Sequence, residues 1–110
     1  SLAHADPASE FPAAAVAMQA ELEIASPEGL RRVRADDFFL DIYETAIEPG
    51  EILQAIYVPS PVAGQVIGFD EIARRRGDYA MVGAAVQAVI TDGIVDTRRL
   101  SAGGFDRAKY

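Results

Sequence analysis

The sequence predicts an α+β fold, an antiparallel sheet of about five strands with two short helices on one face. Three observations carry this prediction. An alanine-rich segment follows a proline-containing loop near the start, residues 21–25 alternate polar and apolar side chains, and Asp92-Gly93 stands between two apolar stretches. The first pattern is typical of a helix, the second of a half-buried strand and the third of a β-hairpin.

Residues 1–12 predict a polar loop that leads into the first helix. Asp6-Pro7 is typical of a turn or a helix cap, and Pro12 disfavours helical angles at Phe11, so we expect the regular helix from there through Met18. The unpaired N–H groups of a helix start attract phosphate or oxygen-rich ligands. Four side chains could then hydrogen-bond a polyhydroxyl chain, or could merely cap the helix: Ser1, His4, Asp6 and Glu10.

Two strands are expected after this helix. Residues 21–25 have the period of a half-buried strand, and Ser26-Pro27-Glu28-Gly29 predicts a turn. Residues 30–35 include three arginines and predict a second, antiparallel strand at the edge of the sheet.

A second helix is expected near residues 37–44. Asp36 and Asp37 offer a helix cap, and Phe39, Ile42 and Tyr43 would then share one face. An aromatic stripe of this kind is typical of core packing.

The second half of the chain predicts strands only. Residues 51–59 carry β-forming apolar residues on both faces, which suits an inner strand covered on both sides. Residues 66–73 predict another strand. Residues 80–90 and 94–102 predict an antiparallel pair, because Asp-Gly between apolar flanks is a strong hairpin signal.

Composition excludes several classes of function. The net charge of −7 argues against nucleic acid and anionic membrane surfaces as partners. The chain has no cysteine and one histidine, so it has no disulfide, no cysteine-ligated cluster and no histidine-rich metal site. The longest mostly apolar run, residues 79–90, is well short of the roughly twenty residues that span a bilayer, so we expect no membrane insertion.

Motifs for catalysis by the protein alone are missing from the sequence. It contains neither Gly-x-Ser-x-Gly nor the two common glycine-rich phosphate fingerprints. If the chain takes part in catalysis, the difficult chemistry therefore belongs to a cofactor.

Three motifs in order resemble one known family. They are SLAHADPASEFP at residues 1–12, YETAIEPGEIL at residues 43–53 and FDEIARRRGDYA at residues 69–80. Together they resemble the FAD-binding medium subunit of the molybdenum hydroxylases, the family of carbon monoxide dehydrogenase, xanthine dehydrogenase and aldehyde oxidase.

The resemblance implies a role in electron transfer. In such enzymes the substrate is hydroxylated at a molybdopterin centre in a large subunit, and electrons pass through [2Fe-2S] clusters in a small subunit. FAD in the medium subunit then hands them to an external acceptor. The resemblance thus implies FAD as the cofactor here, molybdopterin and [2Fe-2S] clusters in partner chains only, and a hetero-oligomer with the large and small subunits. A cysteine-free chain fits the subunit that carries no cluster.

The resemblance assigns cofactor contacts to three residues of the opening loop and helix. Ser1 would lie against the FAD diphosphate with His4 beside it, and Glu10 would bond to the hydroxyl-bearing chain of the flavin. Apart from the resemblance, Glu10 is explained as a first-turn acid that the helix dipole favours.

Three further contacts are implied at the flavin ring. Ile52 and Leu53 would press on the isoalloxazine ring, and Tyr79 would cover it near the point where the acceptor enters. The alternatives are ordinary core packing for the first two and a sheet-edge tyrosine for the third. We expect the opening loop and Tyr79 to border one groove shaped for a flavin nucleotide. No catalytic residue and no metal ligand are implied in this chain.

The resemblance also bears on organisation. Residues 1–110 are expected to form a single domain, the central portion of a longer subunit, with residues 1–20 as the FAD-contacting loop and helix and residues 21–104 as the sheet. We expect a cytoplasmic protein whose isolated chain is inactive. The alternative is a non-enzymatic α+β interaction module that docks partner chains.

Overall fold

The computed structural model describes residues 2–103, with side chains up to residue 96, and has an α+β fold. The predicted class, antiparallel sheets with two helices, is confirmed. Among the described residues the elements are, in chain order, α1 (Glu10–Ala17), β1 (Glu21–Ser26), β2 (Gly29–Arg34), α2 (Ala35–Phe38), β3 (Phe39–Asp41), β4 (Glu44–Thr45), β5 (Ile52–Tyr57), β6 (Gln65–Ala73), β7 (Ala80–Thr91) and β8 (Ile94–Gly103).

The strands divide among three antiparallel sheets and not the single sheet that we expected. Their orders are β2-β1-β5, β3-β4 and β6-β7-β8. The prediction of an inner strand at 51–59 is wrong, because β5 lies at the edge of its sheet and β1 takes the central place. Leu22 and Ile24 of β1 are fully buried, whereas Ile52 and Ile56 of β5 are exposed. The apolar residues of β5 therefore do not indicate a strand that is covered by other parts of the protein on both faces.

The two predicted hairpins are confirmed. β1 pairs with β2 across a two-residue turn, where the Glu28 N–H donates to Ser26 Oγ at 3.2 Å. β7 pairs with β8 across Asp92 and Gly93, whose φ angles of 50° and 76° are both positive, as a type I′ turn requires. Residues 104–110 lie outside the described residues.

Helix α1 starts two residues before Pro12, which we predicted as its start. Proline is tolerated in the first turn because the N–H that it lacks has no partner inside the helix there. The helix contacts β7 and β8, and its Ala15 also joins the core of the other sheet with Leu22, Ile24 and Phe38. Helix α1 therefore contacts both larger sheets, whereas α2 contacts β1 and β2, so the helices do not lie together on one face of a single sheet.

The second helix is one turn long. The prediction of a helix near 37–44 is wrong beyond Phe38, because residues 39–41 pair with β4 and Tyr43 has a positive φ of 57°. The Ala46 N–H donates to the Phe38 carbonyl oxygen at 2.8 Å. A hydrogen bond from the residue after β4 thus takes the place of a helical hydrogen bond at the Phe38 carbonyl.

A pair of exposed charged groups ties β2 to the turn that precedes β5. Arg31 donates through Nε and Nη2 to both carboxylate oxygens of Glu51, at 3.1 and 2.7 Å, and Nη2 also reaches the Ala46 carbonyl oxygen at 2.7 Å. The Glu48 N–H donates to the same carboxylate at 2.9 Å. The hydrogen bond from Arg31, followed by that from Glu48, holds the pKa of Glu51 below its ordinary value of 4.5.

This lowered pKa predicts a pH-dependent contribution to stability. As the pH falls, Glu51 is protonated in the unfolded chain at a higher pH than in the folded chain. The stabilisation by ionised Glu51 is therefore fully present above pH 4.5 and is lost as the pH falls through the lower pKa of the folded chain. We expect Glu51→Gln to lower the melting temperature at neutral pH, with the difference from wild type disappearing in acid. Glu28→Gln, at an exposed turn, is the control. A difference that stays constant across this range would contradict the prediction.

Alanine substitutions at two loop glycines would distinguish the cost of backbone strain from the cost of steric overlap. Gly50 and Gly64 have φ angles of 84° and 77°, but a Cβ at Gly50 meets nothing within 4 Å, whereas one at Gly64 overlaps the Ile90 carbonyl oxygen. We expect Gly50→Ala to cost about 1 kcal/mol of unfolding free energy, from the left-handed conformation alone. Gly64→Ala should cost clearly more in the same denaturant titration. Equal losses of unfolding free energy would show that β7, which carries Ile90, moves away from the loop at Gly64 and relieves the overlap.

Candidate functional site

A groove of about 450 Å³ lies between the loop that precedes α1 and the turn that joins β6 to β7. It brings together two of the motifs noted in the sequence. Its lining consists of Asp6, Ala8, Ser9, Glu10, Gly77, Asp78 and Tyr79.

The loop before α1 forms one wall and is held by its own hydrogen bonds. Asp6 Oδ1 accepts from the Ala8 N–H at 3.0 Å, and the Asp6 carbonyl oxygen accepts from the Ser9 N–H at 3.1 Å. Ala5 is fully buried with a positive φ of 48°, and its carbonyl oxygen accepts from the Tyr43 N–H at 3.2 Å. Ser9 occupies the N-cap of α1 without a side-chain cap bond. The predicted Asp6-Pro7 turn is therefore confirmed, and Glu10 begins the helix at the groove.

The β6–β7 turn forms the opposite wall. The Asp78 N–H donates to the Arg75 carbonyl oxygen at 3.1 Å, and Asp78 Oδ2 lies 3.7 Å from Arg75 Nε. Gly77 takes the positive φ of 80° that this turn needs, and Asp78 Oδ1 accepts from the Tyr79 N–H at 2.9 Å. Asp78 thus fixes the backbone from which Tyr79 projects, with 63% of that residue exposed.

The groove combines hydrogen-bond acceptors with an aromatic ring. Asp6, Glu10 and Asp78 place three carboxylates around it, and Asp78 is ion-paired with Arg75. Ionised carboxylates accept hydrogen bonds from hydroxyl and N–H groups and repel phosphate. This part of the surface therefore suits a hydroxyl-bearing chain and a flat ring better than a diphosphate.

A small cavity of about 10 Å³ lies beside the groove, with room for roughly one water molecule. Groove and cavity share Ala8, Ser9 and Glu10, and the cavity is also bordered by Glu71. Glu71 Oε2 is buried and has no hydrogen-bond partner among the described residues. Glu71 and Glu10 thus both border this small space.

The structure brings two of the six predicted site residues together. Glu10 and Tyr79 line the same groove, and that this groove is shaped for a flavin nucleotide stays a prediction. Ser1 lies outside the described residues.

The other three do not border this groove in the described part of the chain. His4 is exposed, Ile52 is exposed in β5 opposite Ala25, and Leu53 is half-buried against the core. Whether any of the six contacts a cofactor stays a prediction.

Residue-by-residue reasoning missed Ser9, Asp78 and Glu71. The Gly77-Asp78 turn signal before Tyr79 could have indicated Asp78 as the residue that shapes the second wall. Period-two alternation in β6 could have placed Glu71 on the same face as Phe69. Nothing in the sequence could have shown that this face meets α1.

Two features of the described residues, 2–103, limit the kinds of site that they can form. They contain no group of three or more histidine, cysteine, aspartate or glutamate side chains that could hold a metal ion. None of their helices is long and apolar enough to cross a membrane.

Comparison with known proteins adds a family match. Residues 1–61 match the model of the FAD binding domain in molybdopterin dehydrogenase. The carbon monoxide dehydrogenase medium chain of Afipia carboxidovorans is 41% identical over 91 residues, which cover 83% of this chain and 32% of that protein. The nicotine 6-hydroxylase medium subunit of Paenarthrobacter nicotinovorans is 36% identical over 104 residues, covering 94% and 36%.

Solved structures agree with these matches. A carbon monoxide dehydrogenase structure from Hydrogenophaga pseudoflava superposes with a TM-score of 0.90 at 33% identity, covering 98% of this chain and 38% of that one. Quinoline 2-oxidoreductase from Pseudomonas putida 86 gives a TM-score of 0.85 at 38% identity, covering 99% and 38%. The chain thus spans about a third of the length of the relatives that it matches.

The loop geometry makes a testable prediction at Asp6. Asp6→Ala removes the acceptor for the Ala8 N–H, and we expect a loss of about 1 kcal/mol in unfolding free energy with faster hydrogen exchange at the Ala8 amide. Asp6→Asn keeps an acceptor oxygen and should stay close to wild type. Unchanged exchange at Ala8 in Asp6→Ala would mean that this hydrogen bond does not hold the loop.

Proposed function

The chain belongs to the family of FAD-binding domains in molybdopterin dehydrogenases, and on that premise we propose that it forms part of the electron-transferring medium subunit of a molybdenum-containing hydroxylase or dehydrogenase. In this proposal FAD receives electrons from [2Fe-2S] clusters in a partner chain and passes them to an external acceptor. The observation that carries the proposal is the single groove lined by both Glu10 and Tyr79.

The chemistry of the groove fits the middle of a flavin nucleotide. FAD joins a flat, largely apolar ring to a chain of hydroxyl groups, and its charge is confined to the diphosphate. Three carboxylates offer acceptors to hydroxyl groups, and the exposed Tyr79 side chain offers an apolar surface to a ring. The diphosphate would be held away from these carboxylates, where the sequence resemblance implies contacts from Ser1 and His4.

Each residue would then have a binding role and none a catalytic one. Glu10 would accept a hydrogen bond from the hydroxyl-bearing chain, and Tyr79 would pack on the isoalloxazine ring, worth on the order of 1 kcal/mol. FAD supplies the chemistry, the uptake and release of electrons. The chain supplies orientation and exclusion of water. Ile52 and Leu53 would press on the ring as well, and of these Ile52 is exposed whereas Leu53 packs against the core.

Partner chains complete the proposed assembly. We place molybdopterin in a large subunit and the [2Fe-2S] clusters in a small subunit, because relatives carry the names medium chain and medium subunit. Exposed apolar side chains on β6 and β7, among them Val66, Ile72 and Val82, suit a surface that other protein covers. We also propose a cytoplasmic location. The isolated 110-residue chain would be inactive, because molybdopterin and the [2Fe-2S] clusters lie in other chains.

Loss of bound flavin tests this function directly. In the intact subunit, purified with its partners, we expect the visible absorbance of bound FAD. Glu10→Ala should weaken FAD binding about tenfold, as loss of a charged hydrogen-bond partner does. Tyr79→Ala should weaken it about fivefold through the lost ring contact. The measurement is titration of the apoprotein with FAD.

Two controls sharpen the titration. Tyr79→Phe keeps the ring and should bind FAD as wild type does, and Glu28→Ala changes an exposed glutamate in the β1–β2 turn. A wild-type subunit that binds no FAD would reject the proposed function. Wild-type binding in both Glu10→Ala and Tyr79→Ala would reject the role of the groove.

A further inference from the structure

Glu71 stands out as a polar group that the protein itself does not satisfy. Its Oε2 atom is buried and has no hydrogen-bond partner among the described residues. A buried acceptor without a donor costs free energy, more so when it is charged. Such a group calls for a donor that comes from outside the described chain.

The fold explains why Glu71 faces the cavity. In the β6–β7 ladder Glu71 lies opposite Gly83, which has no side chain to fill the space beside it. Ala13 of α1 and Ala80 of β7 also border the cavity and are small. The space that these residues leave is about 10 Å³, so one water molecule or one hydroxyl group fills it.

The cavity connects Glu71 to the groove through Glu10. Glu10 borders both spaces, and Ala8 and Ser9 are shared as well. A ligand in the groove would therefore lie next to the space that Glu71 borders. Two carboxylates facing one space repel phosphate and accept from alcohol groups, which selects a hydroxyl-bearing ligand.

We infer that Glu71 is a second hydrogen-bond acceptor for the hydroxyl-bearing ribityl chain of FAD, directly or through one bridging water molecule. This inference rests on the proposed function, in which Glu10 is the first such acceptor. Glu71 is then a positioning residue, because it fixes the chain that carries the flavin ring and does not touch the ring.

The experiment compares two probes on the intact subunit. FAD carries the ribityl chain, whereas ADP carries the adenosine and phosphate groups without it. We expect Glu71→Gln, which keeps the shape of the side chain and removes its charge, to raise the Kd for FAD about tenfold and to leave the Kd for ADP unchanged. The melting temperature of the apoprotein should not fall, because Glu71 Oε2 has no hydrogen bond among the described residues to lose. Glu28→Gln should match wild type in all three measurements.

Each outcome decides the matter. An unchanged Kd for FAD overturns the inference while the proposed function stands. An equal rise in both Kd values also overturns it, since ADP has no ribityl chain, and so does a lower melting temperature with unchanged binding. Should Glu71→Gln fail to fold, Glu71→Asp keeps the charge but shortens the reach, and the same split between FAD and ADP is expected. A wild-type subunit without FAD binding rejects the proposed function itself.

Discussion

The packing of helix α1 between two sheets is the constraint on which the rest of the structure depends. One side of the helix meets β7 and β8, and Ala15 on another side joins the core with Leu22, Ile24 and Phe38. Buried alanines at 13, 15 and 17 let the backbone approach both neighbours closely. Because each side is occupied, the helix has little freedom to shift, and its first residue, Glu10, is held at the groove.

That fixed helix start turns two loops into one site. The loop before α1 is closed by Asp6, and the β6–β7 turn is closed by Arg75 and Asp78. Each wall has local hydrogen bonds of its own, and the loop before α1 is also held by the Tyr43 N–H. Their distance is set by α1 lying against the sheet that the second turn belongs to. Acidic side chains on both walls then give the groove its preference for hydroxyl groups over phosphate.

Local chemistry accounts for the elements that were predicted well. The Asp92-Gly93 hairpin, the Ser26–Gly29 turn and the alternation in β1 each depend on a few adjacent residues. The errors lie where strand pairing, or its absence, overrides the preference of the residues themselves. Residues 39–41 left the predicted helix because β4 pairs with them, and β5 became an edge strand because no further strand of the described chain pairs beyond it.

The sequence by itself determined the α+β class, the hairpins and the candidates Glu10 and Tyr79, because turn residues, side-chain periodicity and motif resemblance are properties of neighbours along the chain. Tertiary structure alone decided how the strands divide into three sheets and that Glu71 and Glu10 border one small cavity. The cavity depends on the β6–β7 register, which sets Glu71 opposite Gly83, and on the packing of α1 against the sheet of β6, β7 and β8. Contacts between remote segments are fixed by the packing of the whole domain, which no local pattern encodes.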